Sequence, residues 1–211
     1  MTRSITSTAL VLAFNLVLGS TPAFAQDPPS VSLRPFFVGA VERFSAKETF
    51  SAVFGGTVQP LYGGGLEVAF RNGLYFDFTA SRFKKTGERA FFFNGDGFGL
   101  GIPLTVTMTP LEFTVGARSN PAPKVFPYFG GGIGSYRYEE TSTVDDPFSS
   151  THLGWLIVGG VEYRFSRWIG ISGDLQYNRV SGIIGEGGVS AEAGESDLGG
   201  TAGRFRILIG R

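Results

Sequence analysis

His152 is the single histidine of the chain and follows Ser149, Ser150 and Thr151. A histidine beside hydroxyls is the material of nucleophilic catalysis, in which imidazole takes the hydroxyl proton and a carboxylate orients the ring. Adjacent residues on a strand alternate faces, which works against that reading. NGDGFG at 94–99 and the pair Asp145-Asp146 carry oxygens of the kind Ca²⁺ takes. Neither has the spacing of a dedicated calcium loop, and both read as acidic loop tips. FGGGIGSYRY at 129–138 lacks GxGxxG spacing and a following helix, so it reads as strand glycines at a bend or close packing, not a phosphate cradle. With no cysteine, disulfides and thiolate metal sites are excluded. No catalytic, cofactor or metal residue is assigned.

The acids and arginines form a stronger pattern, and strands must position them. From Leu33 onward eight strand-like runs alternate in polarity, roughly 33–44, 60–70, 74–85, 101–118, 126–140, 151–165, 169–180 and 199–210. No apolar stripe of helical period and ten or more residues accompanies them. The composition agrees: 32 Gly and 21 Phe suit neither collagen nor disorder. Lys+Arg and Asp+Glu balance at 18 each, so no electrostatic nucleic-acid footprint is expected.

The first 25 residues read as a secretory signal. MTRS is a positive start, ALVLAFNLVLG is an apolar core, and Ala23-Phe24-Ala25 gives the small-x-small site before Gln26. A spanning helix needs about 20 apolar residues, more than this segment offers. Residues 26–32 form a short Pro/Ser lead-in, and the domain follows from 33 to 211.

The connections alternate in length. Those at 45–59, 86–100, 141–150 and 181–198 are long; 71–73, 119–125 and 166–168 are short. An up-and-down sheet places every second connection at one end, so the long loops share an end. Outer-membrane barrels show this asymmetry. The runs exceed the roughly 5–6 residues usual in soluble strands and match the about 9–11 needed to cross a bilayer.

Two turns set the faces. In LEVAFRNGLYFDFTA (66–80), a three-residue turn Arg71-Asn72-Gly73 with Gly73 left-handed pairs Phe70 with Leu74. Val68 then faces Phe76 while Glu67 meets Asp77, sorting apolar from polar. A two-residue turn would mix them. Ser166-Arg167-Trp168 repeats the logic. In a membrane barrel the apolar face meets lipid and the charges point inward. The expected interior set is Glu67, Asp77, Glu112, Arg118, Arg137, Glu139, Glu162, Arg164, Asp174, Arg204 and Arg206. Near-neutral pairing is required there, and Arg164, Arg204 and Arg206 are the expected partners of Glu67 and Asp77. In strand 126–140 a bulge within FGGGIG could reverse the faces.

The signal, eight amphipathic strands and alternating loops resemble the small eight-stranded outer-membrane barrels of the OmpA/OmpX type, over residues 33–211. The resemblance implies an all-β, antiparallel up-and-down transmembrane β-barrel in the outer membrane of a Gram-negative cell, embedded in lipid and inserted by the barrel-assembly machinery. It implies a structural or surface-interaction role, with any extracellular ligand bound at the long loops. Such chains usually end in an aromatic residue; this one ends GRFRILIGR, with Arg211 last. The small lipid A deacylase barrels carry a His-x-Ser pair, whereas this chain reads His152-Leu153-Gly154, so an enzyme is not expected. Two further alternatives remain at this level: a narrow ion channel, and a soluble periplasmic carrier of lipocalin type. Tyr62, Tyr136, Tyr138, Trp155, Tyr163, Phe165 and Trp168, with Phe36 and Phe37, are candidates for aromatic girdles at the membrane interfaces.

Overall fold

Alternating polarity with tight turns produces eight antiparallel strands that close on themselves. A computed structural model describes residues 31–93, 96–119, 124–144, 146–185 and 188–210. The signal segment with Ala23, Ala25 and Gln26, most of the lead-in, Asp145 and Arg211 lie outside the described residues.

The strands are β1 (Val31–Phe44), β2 (Val58–Phe70), β3 (Leu74–Phe93), β4 (Asp96–Arg118), β5 (Val125–Ser142), β6 (Phe148–Arg164), β7 (Ile169–Arg179) and β8 (Gly200–Ile209). Each pairs with its sequence neighbour, and β1 pairs with β8 to close the ring. The β2–β3 register places Val68 opposite Phe76 and Glu67 opposite Asp77, as the three-residue turn requires. Gly73 has φ of 89°, and its N–H donates to the Phe70 carbonyl at 3.0 Å. A Cβ at Gly73 would sit 2.6 Å from the Arg118 carbonyl oxygen, so both conformation and space select glycine. At the second turn, Tyr163 pairs with Ile171.

Three features differ from the sequence reading. β1 begins at Val31, inside the expected lead-in. The stretch 86–100 is not an open loop, because β3 and β4 continue through most of it as a hairpin with a bulge between Glu88 and Ala90. The connections at 45–59 and 181–198 contain short helices, α1 (Lys47–Phe54) and α2 (Gly188–Ala193), too short to leave a ten-residue stripe.

These helices close the end of the barrel that carries the long connections. Phe50 of α1 stacks on Phe44 at 4.3 Å and packs near Phe83. Ile183, Ile184, Val189 and Leu198 of the last long connection join Tyr136, Tyr138, Leu104 and Met108 in the same buried cluster. The result is an apolar dome over the mouth. Glu195 ties its two halves together: its carboxylate accepts the N–H groups of Glu48 and Thr49 at 3.0 and 2.8 Å, capping the first turn of α1 from the other loop.

Candidate functional site

The barrel wall has a lipid-like outside and a charged inside. Val31, Leu33, Phe37, Phe78, Phe113, Ile157, Leu175 and Phe205 are all exposed on the outer face. Inward positions between them carry the ionisable groups, which lie in two layers below the dome.

The lower layer, near the short turns, is built on Arg34. Its guanidinium binds Glu67 through Nε at 3.1 Å and through Nη2, and binds Glu162 at 2.6 and 2.9 Å. Arg118 reaches the same two carboxylates at 3.1 and 2.9 Å. Arg164 donates to Glu162 at 2.8 Å from a half-buried rim position and stacks on Phe126. Two carboxylates that would repel are thus each bracketed by forked cations.

The upper layer is built on Arg206 and Arg204. Arg206 donates to Asp77 at 2.5 Å and to Ser172 at 3.0 Å, and its guanidinium packs on the rings of Phe36 and Tyr128. Arg204 donates to Asp174 at 2.5 Å and to Gln176, while Asp174 also accepts the Tyr128 hydroxyl at 2.6 Å. Glu112 accepts Tyr136 and Gln176 at 2.7 and 2.9 Å. Between this layer and the dome lies a cavity of about 20 Å³ lined by residues including Glu42, Ser81, Glu112 and Arg204. That is room for about one water molecule.

Of the residues expected inside, Glu67, Asp77, Glu112, Arg118, Glu162, Arg164, Asp174, Arg204 and Arg206 are brought together there. Arg137 and Glu139 are not. Both point outward, pairing with each other at 2.7 Å as a solvated ion pair. Tyr136 and Tyr138, expected in an outer girdle, instead point inward and are 1% exposed. The reversal has a physical cause. This part of β5 rises beyond the apolar band, where the outside is water and the inside is the dome, so polarity sorts in the opposite sense. Glycines make room for the Tyr136 ring: a Cβ at Gly134 would lie 2.8 Å from it, and one at Gly154 3.0 Å. Phe36, also expected in a girdle, points inward against Arg206 and is buried. Phe37 faces outward, as do Tyr62 and Trp155 toward the dome end and Tyr163, Phe165 and Trp168 at the short-turn end.

Among the described residues three buried charged groups escaped the sequence reading: Arg34, Glu42 and Glu140. Arg34 and Glu42 share even parity on β1. That spacing was a usable signal, masked because Phe36 and Val38 on the same face look lipid-directed. His152 points inward and contacts Ser150 Oγ at 3.1 Å. The two are separated by two positions and so share a face. Among the described residues no carboxylate binds this imidazole, and no group of metal-ligating side chains is present.

The sequence profile of the outer membrane protein beta-barrel domain matches residues 11–202. The chain belongs to this family. As an outer membrane barrel protein it resides in the outer membrane, with its apolar outer wall against lipid. Its fold is similar to Neisserial surface protein A, NspA, with TM-score 0.51 and 12% identity over 88% of this chain and 98% of that one. Ail of Yersinia pestis, solved with the heparin analogue sucrose octasulfate, gives TM-score 0.49 and 10% identity over 85% and 95% of the two chains. The N-terminal barrel domain of Pseudomonas aeruginosa OprF gives 0.47 and 13% over 85% and 97%. No curated protein matches significantly. Family membership and a charged, filled interior set aside the soluble carrier, which would need an apolar cavity within the barrel.

Proposed function

We propose that this outer-membrane barrel is a closed, non-enzymatic protein with a structural or surface-interaction role. The carrying observation is that side chains fill the lumen, two layers of paired charges below and an apolar dome above, leaving between them room for about one water molecule. An eight-stranded barrel has an interior just wide enough for side chains to fill. The expected readout is silence in planar lipid bilayers across a range of voltages. Reproducible single-channel steps from folded protein would overturn the closed reading and favour the narrow channel.

The interaction half of the proposal rests on the β3–β4 hairpin, which rises past the apolar band. Near its tip Phe91 and Phe98 face each other across the two strands and are 46% and 52% exposed, with Leu100 beside them at 49%. Exposed aromatic pairs of this kind serve protein contacts. A version with Phe91 and Phe98 changed to Ser is expected to fold normally and to lose adhesion to whichever host or neighbour surface the wild type binds. Among the described residues no carboxylate orients the Ser150–His152 contact, so the lipid-modifying alternative rests on these two side chains alone. Unchanged lipid A on expression is the expected outcome, and acyl loss abolished by His152→Ala would reverse it.

A further inference from the structure

We propose that the outer wall of β3 and β4, just past the apolar band, binds the phosphate groups of an anionic glycolipid in the external leaflet. Along β3 the outward positions run Leu74, Phe76, Phe78 and Ala80, then change to Arg82, Lys84 and Thr86. Along β4 the outward positions beside them run Ala117, Val115, Phe113 and Leu111, then change to Thr109, Thr107 and Thr105. The change falls at the same height on both strands. Lys84 stands opposite Thr107, and Thr86 Oγ1 lies 2.8 Å from Thr105 Oγ1. Tyr62, 63% exposed, is the cross-strand partner of Arg82 on β2.

Charge pairing marks this sector of the wall, where two unpaired cations stand together; among the described residues Arg43 on β1 also lacks an ion-pair partner but stands alone. Arg137, opposite Thr109 on β5, is held by Glu139, and Arg179 on β7 is held by Asp197 at 3.2 Å. Among the described residues Arg82 and Lys84 have no ion-pair or hydrogen-bond partner. The next outward acid on β3, Glu88, leans toward Gly99, with Oε2 2.9 Å from where a Cβ there would lie. A guanidinium and an ammonium two positions apart on one face, with the exposed Thr86 hydroxyl above them and Thr107 buried beneath, make a receptor for tetrahedral oxyanions. The patch lies on the side of the barrel, continuous with lipid-facing Phe78, Leu111 and Phe113, and not in the mouth. Long basic side chains at such a level extend to the headgroups. The long connections mark this end as external, and the external leaflet of a Gram-negative outer membrane is a phosphorylated glycolipid.

The test uses the folded mature chain in a zwitterionic detergent, with binding read by native mass spectrometry. The probes are purified lipopolysaccharide, the same glycolipid stripped of phosphate, phosphatidylcholine and inorganic phosphate. Arg82→Gln combined with Lys84→Gln is expected to weaken lipopolysaccharide binding roughly tenfold to thirtyfold. Arg179→Gln, whose arginine is already paired, is expected to change it less than twofold. Equal binding by the double variant and the wild type would overturn the proposal, as would equal binding of the phosphate-free glycolipid or phosphatidylcholine. Tight binding of inorganic phosphate without preference for the glycolipid would assign the patch to a soluble anion and overturn the lipid assignment. Folding is checked by the mobility shift of unheated protein in detergent gels, and the single variants give the same reading if the double variant fails that check.

Discussion

Arg34 on the first strand meets Glu162 on the sixth across the barrel lumen, Nη1 to Oε1 at 2.6 Å, from positions 128 residues apart in sequence. The same guanidinium also holds Glu67, and both carboxylates are fully buried. One cation from an unremarked position on β1 therefore bridges a pair of acids brought together by two separate hairpins, and Arg118 supplies the second positive charge.

Arg34→Met should destabilise the barrel by about 3–5 kcal/mol, because it leaves two buried carboxylates short of a partner. Urea unfolding in lipid vesicles measures this. Arg164→Met, at the half-buried rim, should cost less than about 1 kcal/mol. Equal costs for the two would show that Arg34 does not organise the lower layer.

The reversed faces of upper β5 predict opposite outcomes for neighbouring residues. Tyr136→Ala removes a buried ring and one of the two donors to Glu112, leaving Gln176, at about 3–5 kcal/mol. Arg137→Ala removes a solvated side chain and should stay within about 0.5 kcal/mol. The same unfolding assay decides, and a larger loss for Arg137 would place the strand in the other register.

Lower on the wall the sorting is that of a membrane protein. Phe205 is outward and half exposed at mid-height of β8. Phe205→Arg should cost about 2–4 kcal/mol in a bilayer. A neutral result in vesicles would mean that this face does not meet lipid.

The cap from Glu195 to α1 predicts a local effect. Glu195→Ala should cost about 1 kcal/mol, felt mainly in the dome. Limited proteolysis should then cut residues 45–57 faster while the strands stay protected. An unchanged cleavage rate would show that the two loops are held by apolar packing alone.

At the short-turn end, Gly73→Ala places a Cβ against the Arg118 carbonyl at a left-handed backbone position. A loss of about 1–3 kcal/mol is expected. A wild-type urea midpoint would show that the turn relaxes without strain.

The sequence by itself determined the strand count, the up-and-down order, the two three-residue turns and most of the inward charges. Each follows from a local rule: period-two alternation, turn chemistry, and the cost of putting Glu67 or Asp174 into lipid. Those rules act between residues a few positions apart, so they are legible along the chain. Only the tertiary structure decided which charges meet, as Arg34 with Glu162 and Arg206 with Asp77, because ring closure, strand tilt and stagger bring distant strands to one height. It alone decided that α1 and the last long loop fold into a dome. It also decided where the sorting rule changes sign. Within the apolar band the outside is lipid, so Phe78 faces out and Asp77 faces in. Above it the outside is water and the inside is the dome, so Arg82 and Arg137 face out while Phe83 and Tyr138 face in. The alternation looks the same in both regions, and the height of the boundary is a property of the folded barrel against its solvent.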